Sequence, residues 1–135
     1  MTRSIISPPT LAPPRGFNHG ILVSGGQLLF LAGQDASDAE GRIVAAEDVV
    51  GQYEQVLRNL QAVVEAAGGT MQDIVKLNIY VCDCDDYRTH LRELGRVHKT
   101  YFGDYYPTMA LFEISRLFQE EALIEIEGLA VIGAS

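Results

Sequence analysis

The sequence has 135 residues, of which 47% are hydrophobic and 21% charged, a composition typical of one folded domain rather than a disordered chain. We therefore expect a single domain over residues 1–135. No apolar run reaches the ~18 residues of a membrane span, and the proline-rich start lacks the apolar region of a secretory signal. The net charge of −8, with ten scattered basic residues, argues against nucleic acid as a partner. Two cysteines, Cys82 and Cys84, favour reduced thiols and a cytoplasmic location.

The first part of the chain is expected to be extended. A short strand is predicted at Arg3–Ser7, and the segment that follows is irregular because it holds four of the five prolines. Two apolar runs, His19–Ser24 and Leu28–Ala32, are separated by Gly25-Gly26-Gln27, which is a hairpin turn signal.

The clearest helix is predicted over Ala46–Ala67, where apolar residues recur every three or four positions. Glu47 and Asp48 are expected in its first turn, where the helix dipole favours anions. The pair Gly68-Gly69 ends the helix.

The second half alternates strands and a helix. Strands are predicted at Ile74–Cys82, Pro107–Ser115 and Ala122–Ile132, and a second helix at Tyr87–Phe102. The order β-β-β-α-β-α-β-β predicts an α+β fold, with one sheet that carries two helices on one face. The other face of such a sheet then needs a partner.

The last two strands each combine large apolar residues with carboxylates on one face. In the final strand Glu125 and Glu127 share a face with Leu129, and in the preceding strand Met109 and Leu111 share a face with Glu113. Together these faces are typical of an oligomer interface that contains a polar pocket.

Three segments resemble the RidA/YjgF family, also known as the reactive-intermediate deaminase or L-PSP endoribonuclease family. They are GQLLFLAGQ (Gly26–Gln34), VVEAAGGTMQDIVKLNIYV (Val63–Val81) and ALIEIEGLAVI (Ala122–Ile132), and the resemblance extends from about Phe17 to Ile132. It implies the chorismate-mutase-like α+β fold. It also implies a homotrimer whose sheets form a central barrel, with a small-molecule cleft at each subunit interface.

The resemblance also identifies the residues expected at the site. The best-studied branch hydrolyses 2-imino or enamine acids to 2-keto acids and ammonia without a metal or cofactor, and it binds the substrate carboxylate through an arginine. Here Met109 occupies the arginine position, Phe17 replaces a tyrosine, and Leu111 replaces a cysteine or threonine. The carboxylates of the last strand remain as Glu125 and Glu127. The chain thus resembles a branch that lacks the usual substrate-binding arginine.

Three side chains are candidates for proton transfer. Glu125 and Glu127 share a strand face, and two close carboxylates favour protonation of one of them, as a general acid/base requires. We favour Glu127 because Gly128 would permit close approach of a ligand. His19, near Phe17, is the third candidate. The alternatives are an exposed or salt-bridged strand face for the glutamates and a structural role for the histidine.

Other residues are candidates for substrate binding. Arg15 or Arg92 would replace the missing anion clamp, and backbone N–H groups of Ala32, Gly33 and Gln34 would polarise a carbonyl or imine. Tyr106, with its neighbour Tyr105, would form an aromatic wall. The alternatives are solvated surface charges and simple loop packing. His90 and His98 lie eight residues apart on the predicted second helix and have no third ligand that would complete a metal site, so both are expected at the surface.

The sequence is compatible with three functional hypotheses. The first is a small-molecule deaminase or hydrolase that acts on an enamine, imine or related unsaturated substrate, and the second is a non-catalytic trimer that binds a small metabolite. The third, an endoribonuclease, is disfavoured because a charge of −8 repels backbone phosphates. Cys82-Asp83-Cys84 has no second ligand pair, so no metal is expected. The sequence also has no P-loop or dinucleotide-binding glycine pattern, and no other cofactor is expected.

Overall fold

The computed structural model describes residues 2–133. Its α+β fold contains six strands, three α-helices and one short 3₁₀ turn at Met71–Asp73. The strands are β1 (Thr2–Ile6), β2 (Gly20–Ser24), β3 (Gln27–Gln34), β4 (Ile74–Val81), β5 (Thr108–Glu113) and β6 (Ile124–Ile132). The helices are α1 (Val49–Ala66), α2 (Cys84–Thr89) and α3 (Leu91–Phe102).

The strands form two sheets rather than the single sheet predicted. The main sheet has the order β3-β6-β4-β5, in which only β4 and β5 run parallel, and β1 and β2 form a separate antiparallel ribbon. The prediction of a hairpin between β2 and β3 is therefore wrong, because β2 pairs with β1 and β3 pairs with β6. Gly25 and Gly26, with φ of 82° and 81°, instead pass the chain from the ribbon to the main sheet, a conformation that glycine adopts without steric cost.

Helix α1 begins three residues later than predicted. Asp48 is its N-cap, in an extended conformation, and the side chain of Asp48 accepts a hydrogen bond from the Gly51 backbone nitrogen at 3.1 Å. Glu47, with φ of 64°, precedes the cap. The two acidic residues thus lie before the first turn, because a short carboxylate satisfies the free N–H groups better as a cap than from within the helix.

The predicted second helix is divided into two. Asp83 caps the short helix α2 by accepting hydrogen bonds from the backbone nitrogens of Asp85 and Asp86, at 3.0 and 3.1 Å. His90, with φ of −108°, then separates α2 from α3. A strong cap upstream of the apolar pattern starts a helix that the pattern alone does not reveal.

The helices cover one face of the main sheet and enclose the core. The central strand β4 contributes fully or almost fully buried side chains at Ile74, Leu77, Ile79 and Val81, which pack with the apolar stripe of α1. On the opposite face, large apolar side chains remain exposed, among them Phe30 at 73% and Phe112 at 48%. We refer to this uncovered side of the main sheet as the open face. Within residues 2–133, none of the helices is long and apolar enough to cross a membrane.

Candidate functional site

The predicted site residues fall on opposite sides of the main sheet. Leu77 of β4, fully buried beneath the helices, is in register with Met109 of β5, so Met109 and Leu111 point to the helix side. Tyr80 is in register with both Phe112 and Glu125, which places Glu125 on the open face.

The two mixed faces that were expected to contribute to one interface therefore lie on opposite sides of the sheet, with Met109 and Leu111 on one side and Glu125 and Glu127 on the other. Each strand alternates as predicted, but β4 lies between β5 and β6 and its register decides which faces coincide. A sequence pattern read one strand at a time does not contain that register.

On the helix side, a cavity of about 440 Å³ opens at the β5 edge. A volume of this size suits a small organic ligand. Its lining is mostly apolar and aromatic: Arg15, Gly16, Phe17, Tyr53, Ile79, Tyr87, Leu91, Leu94, Gly95, His98, Tyr106, Met109 and Leu111. Five residues that were predicted to bind substrate thus line one cavity: Arg15, Phe17, Tyr106, Met109 and Leu111. We call this space the helix-side cavity.

Tyrosines form the polar part of the helix-side cavity. Tyr53 of α1 is only 3% exposed, and its burial, with smaller contributions from Tyr87 and Tyr106, strongly raises the pKa of its phenol. Burial also raises the pKa of Tyr87. Both phenols therefore remain protonated near neutral pH and are available as hydrogen-bond donors.

His98 is a buried aromatic wall residue, 5% exposed, rather than the surface histidine expected. It stacks between Phe102 and Tyr106, with ring centroids 4.5 Å away on each side. Its Nε2 lies 3.0 Å from the Tyr105 carbonyl oxygen, and since that oxygen only accepts, Nε2 carries the proton. Burial lowers the pKa of His98, so the ring is neutral and Nδ1 is an acceptor.

At the mouth of the cavity, Arg15 and Phe17 come from the irregular segment before β2. Phe17 packs edge-to-face on His19 with ring centroids 5.3 Å apart, and His19 Nε2 lies 2.8 Å from the Ala12 carbonyl oxygen. His19 thus braces the proline-rich segment and is not among the residues that line the cavity. Arg92 is exposed on α3 and likewise lies outside the lining.

A second group of predicted residues meets on the open face, at a bulge in β3. Leu31 pairs with Gly128 and Gln34 with Ile126, so Ala32 and Gly33 together oppose one residue of β6. The carboxylate of Glu125 occupies the space beside Gly33, with Oε2 2.6 Å from the position a Cβ would take. Glycine at this position is what allows the carboxylate to lie against the bulge.

The two glutamates of β6 differ in their surroundings. Glu125 is half-buried, and burial, followed by the nearby charges of Asp35 and Glu127, raises the pKa of its carboxyl. Glu127 is exposed and pairs with Asn78. A Cβ at Gly128 would collide with the Lys76 carbonyl, so this glycine accommodates the neighbouring strand. Gly128 therefore gives a ligand no special access to Glu127, contrary to the expectation from the sequence.

Sequence reasoning missed Tyr53, Tyr87 and His98 as cavity residues. Tyr53 lies on the apolar stripe of α1, where an aromatic residue normally packs in the core. Its hydroxyl, which needs a hydrogen-bond partner when it is buried, was the one sequence feature that could have indicated a polar role. Among residues 2–133, no cluster of three or more His, Cys, Asp or Glu side chains has an arrangement that would hold a metal ion. Burial raises the pKa of the Cys82 thiol, which makes it a poorer nucleophile.

Comparison with known proteins identifies the fold and the family. The family model described as Endoribonuclease L-PSP matches residues 9–132. A RutC family protein of Pyrococcus horikoshii is 35% identical over 108 residues, which cover 80% of this chain and 82% of that protein.

Two solved structures show the same architecture. The Rid family protein YyfB of Yersinia pestis, itself of unknown function, is 34% identical, with a TM-score of 0.87 over 98% of this chain and 100% of that chain. E. coli TdcF, solved with bound serine, is 28% identical, with a TM-score of 0.68 over 93% of this chain and 92% of that chain. On these grounds the chain belongs to the RidA/YjgF family, the family of the endoribonuclease L-PSP model.

Proposed function

We propose that this protein is a small-molecule deaminase or hydrolase of the enamine/imine type, acting without a metal or cofactor at clefts between the subunits of a homotrimer. The observation that carries the proposal is the Glu125 carboxylate, which lies against the bulge at Gly33 with a pKa raised by burial. A carboxylate whose pKa moves toward neutrality is suited to accept a proton and return it. These two observations favour Glu125 over Glu127 for this role.

The proposed site requires two subunits because its halves lie on opposite faces of one sheet. Met109, Leu111 and Phe17 line the helix-side cavity, whereas Glu125 and Gly33 lie on the open face. An assembly in which the open face of one subunit closes the cavity mouth of its neighbour brings them together. The exposed apolar side chains of the open face favour such an assembly, because monomers rarely leave large apolar patches in water.

The chemistry follows from these groups. Glu125 would accept a proton from water as the oxygen attacks the imine carbon and would deliver that proton to the nitrogen, which gives a carbinolamine. The same carboxylate would then accept the hydroxyl proton of the carbinolamine and pass it to the nitrogen as the C–N bond breaks, so that a ketone and ammonia leave. Ala32 and Gly33 fall outside the β3–β6 register, and their N–H groups would hydrogen-bond the developing charge. Imine and water are thereby converted to ketone and ammonia with no other reactant.

The relatives support a small-molecule ligand. The structure of E. coli TdcF contains bound serine, which is a compound of the size that a 440 Å³ cavity accommodates. The endoribonuclease description of the family fits this chain less well, because a net charge of −8 repels a polyanion.

A non-catalytic metabolite-binding trimer is the second candidate. The observation that favours it is the lining of the helix-side cavity, where Met109 supplies neither charge nor a hydrogen-bond donor. Binding without turnover would then be the whole function.

Ammonia release from a panel of enamines and imines, both charged and uncharged, separates these candidates. Glu125→Gln should lower turnover about 10²–10⁴-fold, and Glu127→Gln, on the same strand, should lower it much less. Light scattering should show that each variant keeps the assembly of the wild type. Full turnover in both variants would exclude this strand as the acid/base, and turnover of none of the compounds would favour the binding protein. Cleavage of RNA that Glu125→Gln abolishes would favour the ribonuclease.

A further inference from the structure

Resting on the proposed function, we propose that the helix-side cavity takes a planar, uncharged ligand whose carbonyl oxygen accepts a hydrogen bond from the Tyr53 hydroxyl. This assigns a substrate class to the cavity and makes Tyr53 the residue that determines specificity. Its basis is a buried donor that the protein itself does not use.

The Tyr53 hydroxyl has no partner within the described chain. Tyr53 is 3% exposed and lines the cavity, yet none of the side-chain hydrogen bonds in residues 2–133 involves its hydroxyl. The same residues contain no completely enclosed polar side-chain atom that lacks a partner, so the hydroxyl opens onto the cavity. The hydroxyl is thus a donor that faces the cavity, and an acceptor on a bound ligand would form the hydrogen bond that the described protein groups do not supply.

The cavity favours an uncharged ligand over an anion. Of its thirteen lining residues, Arg15 is the one with a formal charge, and its side chain is exposed at the mouth, where solvent screens it. The interior contains Met109, neutral His98 and protonated tyrosines. An anion moved into these surroundings would lose its hydration without gaining a counter-charge.

The shape of one wall favours a flat ligand. Phe102, His98 and Tyr106 form a continuous stack, with the His98 ring 19° from Phe102 and 9° from Tyr106. Tyr106 ends the stack, lines the cavity and is 38% exposed. A planar ring would extend the stack at low conformational cost, as offset aromatic pairs do elsewhere.

Calorimetric titration of the native assembly with three probes tests the inference: benzamide, benzoate and the non-planar cyclohexanecarboxamide. Benzamide should bind more tightly than either of the others. Tyr53→Phe, which removes only the hydroxyl, should weaken benzamide about tenfold, the usual effect of one hydrogen bond. Tyr101→Phe is the matched control, because Tyr101 is half-buried on α3 and outside the cavity lining, and it should leave binding unchanged.

Met109→Arg provides a second variant with an opposite expectation. A guanidinium in the cavity should reverse the preference, so that benzoate binds more tightly than benzamide. Failure of benzamide to bind the wild type, tighter binding of benzoate, or unchanged binding in Tyr53→Phe would each overturn the inference. Because binding is measured without turnover, these outcomes are distinct from the failure of the proposed reaction, which Glu125→Gln reports.

Discussion

The Glu125 carboxylate lies beside Gly33, with Oε2 2.6 Å from the position that a Cβ on residue 33 would take. We predict that Gly33→Ala displaces this carboxylate, which is the flexible end of its side chain, while the fold is retained. Turnover should fall by an amount approaching that of Glu125→Gln, and the free energy of unfolding should change by less than about 1 kcal/mol. Enzyme assays and urea unfolding measure the two effects.

The double variant Gly33→Ala/Glu125→Gln is the control for this prediction. If Gly33 acts only by making room for the carboxylate, the double variant should be no slower than Glu125→Gln alone. Fully additive losses would instead show that Gly33 contributes independently, for example through its own N–H group.

Glu125 should also make stability depend on pH. Its folded-state pKa is raised above 4.5, so between 4.5 and that raised value the folded protein keeps a proton that the unfolded chain has lost. The contribution of Glu125 to the free energy of unfolding is therefore present at low pH, and it is lost as pH rises from 4.5 through the raised pKa. Glu125→Gln removes the effect, so relative to the wild type it should gain stability between pH 4 and pH 7. A difference independent of pH would contradict the prediction.

Much of the fold was predictable because the apolar periods of individual elements are strong. The helical spacing of apolar residues in α1 and their alternation in β4 predicted the bounds of both elements to within three residues at each end. The separation of β1–β2 from the main sheet was not predictable, because it depends on which strands pair over long sequence distances. The division of the second helix depends on the cap at Asp83, which lies outside the apolar pattern.

The site was predictable only in part. The sequence indicated Met109, Leu111, Phe17 and Tyr106, and the structure places all four around one cavity. It did not indicate that Glu125 lies on the opposite face, since the register of β4 decides this. The burial of His98 was also missed, because its stacking partner Tyr106 reaches it from outside the helix.

The open face should control assembly. Phe30, at the centre of β3, is 73% exposed, and we expect it to become buried in a trimer. A glutamate at this position would then lose its hydration in the interface without gaining a charged partner. Light scattering should give three times the chain mass of 14.8 kDa for the wild type and a smaller species for Phe30→Glu. Val63→Glu, on the outer side of α1, is the control and should remain trimeric. A stable wild-type monomer at micromolar concentration would refute the assembly.

Gln52 should stabilise the loop that precedes β6. It is fully buried; its Nε2 donates to the Glu121 carbonyl at 3.0 Å, and its Oε1 accepts from the Leu123 nitrogen at 2.8 Å. Gln52→Leu leaves these backbone groups unpaired, which should cost about 2–3 kcal/mol of unfolding free energy. Gln61→Leu, half-buried on the same helix, should cost far less. Urea denaturation compares them, and equal losses would contradict the hydrogen-bonding role.

Two histidines should change stability with pH in opposite directions. Burial lowers the folded-state pKa of His98 below 6.5, so the unfolded chain binds the proton more readily, and the contribution of His98 is lost as pH falls below 6.5. His90 has a raised pKa, chiefly because its Nδ1 hydrogen-bonds the Asp86 carbonyl at 2.8 Å, so its contribution is lost as pH rises above 6.5.

Glutamine variants at the two histidines separate these contributions, because glutamine keeps a hydrogen-bonding group but does not titrate. Urea unfolding at pH 5.5 and pH 7.5 gives the stability of the wild type relative to each variant. For His98→Gln the wild-type advantage should be larger at pH 7.5, where the imidazole is neutral in both folded and unfolded chains and no proton has to be lost on folding. For His90→Gln the advantage should be larger at pH 5.5, where the imidazolium bonds the Asp86 carbonyl. A wild-type advantage over His98→Gln that is larger at pH 5.5 would show that burial of His98 does not disfavour its charged form, and one over His90→Gln that is larger at pH 7.5 would contradict the role of the Asp86 carbonyl.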